Sequence, residues 1–217
     1  MPSTIADEQA AELTAQLISG LAELGQPVSD KQTQQLIQYL LLLQRWNSRY
    51  NLTAIKSPQQ MLIRHVLDSL AVVRHIKGHS FLDVGTGAGL PGIPLAIMNP
   101  SHRVDLLDSN GKKTRFLFQV KLELGLTNTS VIKTRVESHQ DETGYEGILS
   151  RAFSSLSEML DTTQHLLAPK GKFYAMKGKI LDTELSQLPK NYNVEALVPL
   201  VVPGLSEERH LVIIERT

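Results

Sequence analysis

The sequence predicts an α/β fold: a mostly parallel sheet with an antiparallel C-terminal edge, preceded by a helical extension. Three observations predict it. Residues 81–94, Phe-Leu-Asp-Val-Gly-Thr-Gly-Ala-Gly-Leu-Pro-Gly-Ile-Pro, read as strand, glycine turn and helix start. From there, apolar runs of strand length alternate with helical patterns. The chain then ends on two strand patterns with no clear helix between them, and the Pro203-Gly204 turn suits an antiparallel pairing.

Each element follows from local pattern. Ile5, Leu13, Leu17, Ile18, Leu21 and Leu24 fall at helical spacing, and Gly25 and Pro27 end that helix. Ser29-Asp30 caps a second helix that carries Leu36, Leu40, Leu43 and Trp46 on one face. Asn47 to Thr53 is a polar break. Ser57-Pro58-Gln59-Gln60 opens a third helix, with Leu62, Val66, Leu70 and Val73 as its core stripe. Residues 1–80 are therefore expected as an N-terminal helical extension and 81–217 as the α/β core.

In that core, Phe81 to Val84 is the first strand, Arg103 to Leu107 the second, Ser130 to Thr134 the third and Tyr145 to Ser150 the fourth. Gly171 to Met176 is the fifth, and Asn193 to Val202 and Arg209 to Glu215 form the closing pair. Helices are expected from Pro91 to Met98, over Lys112 to Gly125 with Phe116, Leu117, Val120 and Leu124 inward, and over Ser154 to Leu167, stopped by Pro169.

The glycine turn sets the chemistry. Gly85, Gly87 and Gly89 lack a Cβ, so the chain can turn tightly and present bare backbone to a ligand. Asp108 stands at the end of the second strand, about 20 residues on, where an acidic side chain accepts hydrogen bonds from a ribose. Two ligands fit. Gly87-Ala-Gly89-Leu-Pro-Gly92 matches the dinucleotide fingerprint, and Asp83 with Gly85-Thr-Gly87-Ala-Gly89 looks like the loop of class I methyltransferases that use S-adenosylmethionine. Only about 50 residues follow the start of the fifth strand, where a dehydrogenase would continue into a second nucleotide-binding half. That ending favours S-adenosylmethionine over a nicotinamide cofactor, and a Rossmann-like class I methyltransferase over an oxidoreductase.

Composition narrows the options. Hydrophobic residues make up 41% of the 217, enough for a sizeable core. The absence of cysteine excludes disulfides, thiolate metal sites and a cysteine nucleophile, and it fits a cytoplasmic protein. No apolar run is long enough to span a membrane, and no metal-ligand spacing stands out. Formal net charge is zero, but it is unevenly spread. Residues 1–30 contain five acidic residues and no Lys or Arg, whereas residues 31–80 contain seven basic residues and one acidic. A basic face can hide in that total, although ordinary solvated helix surface accounts equally well for any single lysine.

In open α/β sheets, ligands bind beyond the carboxyl ends of the strands. The residues expected there are Gly85 to Gly89, Asp108, Arg135 to Glu137, Ser150-Arg151 and Lys177. Glu137 can bind an adenine or its ribose there, and a surface carboxylate at a helix start accounts for it equally well. Arg151 and Lys177, at tips of adjacent strands, suit a phosphate-bearing acceptor or the methionine carboxylate. Exocyclic-amine methyltransferases carry an Asn/Asp-Pro-Pro-aromatic motif after the fourth strand, and here the stretch is Leu149-Ser150-Arg151-Ala152-Phe153. A ring nitrogen with a free lone pair needs no proton removed before attack and suits a site of cations without an obvious base.

Several stretches together are more specific. Trp46-Asn47, Tyr50-Asn51-Leu52-Thr53, His65-Val66-Leu67-Asp68-Ser69-Leu70 and Asp83 to Pro94 are followed in order by Asp108-Ser109, Lys112-Lys113, Phe116-Leu117, Arg135-Val136-Glu137, Ser150-Arg151-Ala152 and Lys177-Gly178. This series, over about residues 30–215, resembles the bacterial small-subunit ribosomal RNA guanine-N7 methyltransferase family, also called glucose-inhibited division protein B. The resemblance implies S-adenosyl-L-methionine as cofactor and N7 of one guanosine in the 530 loop of 16S rRNA as acceptor. It implies that Gly85, Leu90, Val136, Glu137 and Arg151 contact the cofactor, to which the loop and fold logic add Gly87, Gly89 and Asp108. Arg135, Arg151 and Lys177 are candidates for holding the RNA or guanine at the catalytic site. The expected partner is 16S rRNA within a 30S subunit or assembly intermediate, and the expected protein is a cytoplasmic monomer without metal or membrane contact. His65 and Asp68 lie near one helix face, and such a pair is more often structural.

Overall fold

The strands are β1 (Ser80–Val84), β2 (Arg103–Leu107), β3 (Thr129–Ile132), β4 (Tyr145–Ser150), β5 (Leu167–Lys177), β6 (Tyr192–Pro199) and β7 (His210–Arg216). In the computed structural model, which describes residues 5–151, 153, 155–180 and 182–217, they form one sheet in the order β3-β2-β1-β4-β5-β7-β6. Strands β1 to β5 run parallel, and β7 pairs antiparallel with both β5 and β6. This is the mostly parallel sheet with an antiparallel C-terminal edge that the sequence predicts. The strand order reverses between β1 and β4, and the carboxyl ends at that switch point are where such sheets bind ligands.

Both faces of the sheet are covered, so its strands read as apolar runs rather than alternating ones. One face packs under α1 (Ile5–Glu23), α2 (Asp30–Tyr50), α5 (Gly92–Met98) and α6 (Gly111–Leu124), where Leu17, Leu40, Ile93, Leu106 and Phe116 share one cluster. The other packs against α7 (Leu156–Thr163), through Leu82, Ile148, Leu160 and Phe173.

Helix α2 is held by side chains at both ends. Ser29 accepts from the Gln32 amide while Gln32 Oε1 accepts from the Ser29 amide, a reciprocal capping box. Gln32 Nε2 also donates to the Ile97 and Met98 carbonyls, and Gln35 Nε2 to the Leu124 carbonyl. Two polar residues of α2 thus satisfy the carbonyls left open at the C-termini of α5 and α6. After Asn51, in the left-handed region at φ 51°, Pro58–Met61 (α3) starts with Ser57 as its cap. It passes through a π-helical stretch, Leu62–Leu67, into Asp68–Leu70 (α4).

Several local expectations are corrected. Ile18 is 49% exposed, because α1 turns it away from the cluster that buries Leu13, Leu17 and Leu21. Val73 is only half-buried at the edge of the core and Val72 is fully buried, whereas Trp46, also half-buried, packs against the core from the expected face. The helix after β4 is shorter than expected and is followed by a 3₁₀ turn, Gln164–Leu166. Pro169 does not stop it but lies inside β5, where the register with β4 shifts between Tyr145 and Gly147. A bulge tolerates a residue without an N–H. Strand β3 ends at Ile132 and β6 at Pro199, both earlier than expected. A short helix, α8 (Asp182–Ser186), fills a stretch that carries no clear pattern. The side chain of Ile5, and Ala152 and Ser154 of the loop after β4, lie outside the described residues.

Candidate active site

The glycine loop follows β1 and is fixed from three sides. Asp83, fully buried in β1, accepts from Thr86 Oγ1 at 2.6 Å and from the Gly92 amide at 2.8 Å, on the same oxygen. Burial pushes this carboxyl up to about 7 against the pull of those two hydrogen bonds. Asp108 Oδ2 accepts from the Gly87 amide at 3.0 Å, which ties the loop to the tip of β2. Tyr39 of α2 donates its hydroxyl to the Ala88 carbonyl at 2.7 Å. Gly85 (φ 65°) and Gly87 (φ 62°) both adopt the left-handed region. A Cβ at Gly87 would meet nothing closer than 3.8 Å, so the space it would take is cleft.

Three adjoining hollows run along the carboxyl edge from this loop. The first lies against Gly85, Asp108, Arg135, Val136 and Glu137, floored by Val84 and Leu107. The second, across Gly85, is lined by Thr53, His65, Gly87, Leu90 and Arg151. The third, about 370 Å³, is lined by Arg64, His65, Asp68, Arg151, Lys177 and Arg209 among others. Gly85 joins the first to the second, and His65 and Arg151 join the second to the third.

The third hollow is built around Asp68. Its Oδ2 accepts from Arg151 Nη1 at 3.0 Å and its Oδ1 from Arg209 Nε at 3.0 Å. Arg151 also donates to the Arg64 carbonyl, and its Nη2 lies 3.3 Å from His65 Nδ1. His65 Nε2 lies 2.8 Å from Thr53 Oγ1, and Thr53 in turn is held by Asn47, whose Oδ1 accepts from its amide. Burial, reinforced by the Arg151 charge, pushes the His65 imidazole down to about 4 and keeps it neutral at pH 7. Arg64 forms an ion pair with Glu207 at the rim. The Asn-Leu-Thr break and the His-x-x-Asp helix thus form one wall, supplied by the N-terminal region.

The expected residues separate into groups. Gly85, Gly87, Leu90 and Arg151 line the second hollow; Asp108, Arg135, Val136 and Glu137 line the first. Gly89 is behind the loop at φ 92°, and a Cβ there would lie 2.5 Å from Ile93 Cγ1, so both backbone and packing require glycine. Arg151 and Lys177 share the third hollow, and Arg135 does not reach it. Lys177 Nζ is paired with Glu184 at 2.8 Å and also donates to the Phe153 carbonyl. Sequence reasoning passed over Arg209 and the bridging role of Asp68. The only signal was the His-x-x-Asp spacing on one helix face; their partners lie too far along the chain to be paired by pattern.

The donor set fits a nucleoside with an amino-acid tail. Asp108 spends Oδ2 on Gly87 and Lys113 and one position of Oδ1 on the Asn110 amide, leaving an acceptor position on Oδ1 for a hydroxyl. Apolar walls from Val84, Leu107 and Val136 suit a flat base, and the bare loop leads to the Arg151 guanidinium at the other end.

Comparison with known proteins gives the lineage. The family model described as rRNA small subunit methyltransferase G matches residues 32–212. The chain belongs to this family. It is 50% identical over 199 residues to the ribosomal RNA small subunit methyltransferase G of Shewanella baltica (strain OS155), covering 92% of this chain and 97% of that relative. Identity to the protein of the same name from Shewanella sp. (strain W3-18-1) is 49% with the same coverage. Among solved structures, a SAM-dependent methyltransferase from Aquifex aeolicus aligns with a TM-score of 0.56 at 15% identity, covering 71% of this chain and 92% of that one. TrmN from Thermus thermophilus aligns at 0.55 and 18% identity, covering 69% and 48%. These likenesses give the class I methyltransferase fold. The rRNA small subunit methyltransferase G family uses S-adenosylmethionine, and that is the cofactor of this chain. No helix among the described residues is long and apolar enough to cross a membrane.

Proposed function

We propose that this protein methylates N7 of a guanosine in the 530 loop of 16S rRNA, working as a cytoplasmic monomer, without a metal, on a 30S subunit or assembly intermediate. Methylation of small-subunit rRNA is the activity of its family. The observation that carries the choice of a ring nitrogen is the third hollow. Its lining is dominated by cations, and of the groups that could take a proton Asp68 and His65 are engaged while His210 holds the Gly178 carbonyl through Nδ1. Both oxygens of Asp68 are engaged by guanidiniums, and His65 is a weak base whose two ring nitrogens both have partners. An amine or hydroxyl acceptor needs a base, whereas N7 attacks with a lone pair it already has.

S-adenosylmethionine supplies a methyl on a sulfonium, and its in-line displacement by N7 moves the positive charge from sulfur to the purine. The protein's task is then positioning and electrostatics. Gly85, Gly87 and Leu90 hold the loop against the cofactor, with Asp108, Val136 and Glu137 at its nucleoside end. Arg151 stands where the cofactor hollow meets the acceptor hollow, and it serves the cofactor carboxylate or the guanine O6. Lys177 lines the acceptor hollow, and exposed Arg135, at the rim of the nucleoside cleft, is the candidate for an RNA phosphate. The base must leave its stack to enter, which costs least in a loop.

The test is transfer of labelled methyl from S-adenosylmethionine to subunits from a strain lacking the protein, followed by digestion to nucleosides. The expected labelled nucleoside is 7-methylguanosine. Label confined to any other nucleoside contradicts the reading.

A further inference from the structure

Asp68 joins three distant segments. It opens α4 directly after the π-helical stretch, while Arg151 follows β4 and Arg209 precedes β7. Each guanidinium takes a different carboxylate oxygen, both at 3.0 Å. The carboxylate side chain is 3% exposed, and all three residues line the same hollow. A π-helical turn widens the local spacing and recurs at functional sites. Here it lies beside the pocket and carries Arg64 and His65 into the same wall.

The charge balance of the hollow has a consequence for the reaction. Forming the N7–CH₃ bond as the S⁺–CH₃ bond breaks leaves the electron pair on sulfur and turns a neutral base into a cation. That cation forms beside Arg151 and Arg209. With His65 neutral, Asp68 is the lining carboxylate that offsets them. We propose that Asp68 is a positioning residue of the acceptor pocket: it fixes both guanidiniums in the wall and balances their charge, so the purine can become cationic between them. The proposal rests on the N7 reading for the sign of the charge that develops.

Asp68→Asn keeps the shape and one acceptor oxygen but removes the charge. The single-turnover rate at saturating subunits is expected to fall on the order of 10- to 100-fold, less than the roughly 100- to 1000-fold for a donor that touches the transition state directly. Subunit affinity should stay equal or tighten, with a salt dependence steeper by about one phosphate contact. S-adenosylmethionine affinity by titration calorimetry should fall by less than the rate does, since Asp68 reaches the cofactor hollow only through Arg151. Adding Arg209→Gln restores the net charge and is expected to recover about tenfold of the lost rate. An unchanged rate, a loss of cofactor affinity in proportion to rate, or a double variant no faster than the single one would overturn the proposal. Should Asp68→Asn fail to fold, Asp68→Glu is read instead. It keeps the charge but displaces the carboxylate that seats both guanidiniums, so the saturated rate is expected to fall about 3- to 10-fold, and an unchanged rate overturns the proposal. If the wild-type product is not 7-methylguanosine, the N7 reading itself fails; if it is, and Asp68→Asn turns over normally, only the role of Asp68 fails.

Discussion

His65 shows how a single residue reports on the pocket. Its folded-state pKa is depressed from 6.5 to about 4 by burial and by Arg151. The folded chain therefore resists the proton that the unfolded chain accepts. This contribution to stability is present above pH 6.5 and is lost as pH falls toward 4, and it amounts to no more than about 3 kcal/mol. Urea unfolding of wild type and His65→Gln between pH 7 and 4 checks this: the wild type should lose stability over that window more steeply. Parallel curves would contradict it. The glycines give a second contrast. A Cβ at Gly92 would lie 2.3 Å from Leu106 Cδ2 and 2.8 Å from Asp83 Oδ2, so Gly92→Ala is expected to cost about 2–3 kcal/mol in a thermal melt. Gly87→Ala has room and should cost only about 1–2 kcal/mol, from its left-handed backbone. Gly85→Val, in contrast, places a branched side chain on the loop at the junction of two hollows and is expected to abolish S-adenosylmethionine binding in titration calorimetry. The glycines and Asp108 were legible because loop, strand tip and acidic residue are close in sequence. The Asp68–Arg209 pair was not, because 141 residues separate its members and only the fold brings them together.

At the scale of elements, the boundaries followed local chemistry where local chemistry decides them. Ser29 and Ser57 cap the helices the sequence assigns to them, and Gly125 ends α6 in the left-handed conformation. The misses have tertiary causes. Pro169 reads as a helix stop, yet a register shift between β4 and β5 accommodates it inside a strand. No one-dimensional pattern marks the π-helical stretch, since its apolar positions suit an α-helix equally. Helix α2 carries a link that hydrophobic spacing does not show: Tyr39, fully buried, supports the glycine loop through Ala88. Tyr39→Phe leaves that buried carbonyl without its partner and is expected to cost about 1–3 kcal/mol in chemical denaturation. Cofactor affinity should fall with it, and unchanged affinity would show that the loop does not depend on α2.

For the molecule as a whole, the N-terminal helices and the sheet share a core. Leu36, Leu40 and Leu43 belong to the same buried cluster as Ile93, Leu106 and Phe116, and Trp46 packs against Phe116 with ring centroids 5.6 Å apart. Thr53, His65 and Asp68, from the N-terminal region, also line the hollows at the carboxyl edge of the sheet. Leu40→Ala is expected to cost about 2–5 kcal/mol in one cooperative transition, with Trp46 fluorescence and far-UV circular dichroism coinciding. Two separated transitions would contradict a shared core. The address of the methyl group decides the function. The most direct measurement treats subunits from a strain lacking this protein with the enzyme and S-adenosylmethionine, cleaves the 16S rRNA chemically at N7-methylguanosine and maps the break by primer extension. One new break within the 530 loop is the predicted result; a break elsewhere, or methyl incorporation without such cleavage, would contradict it.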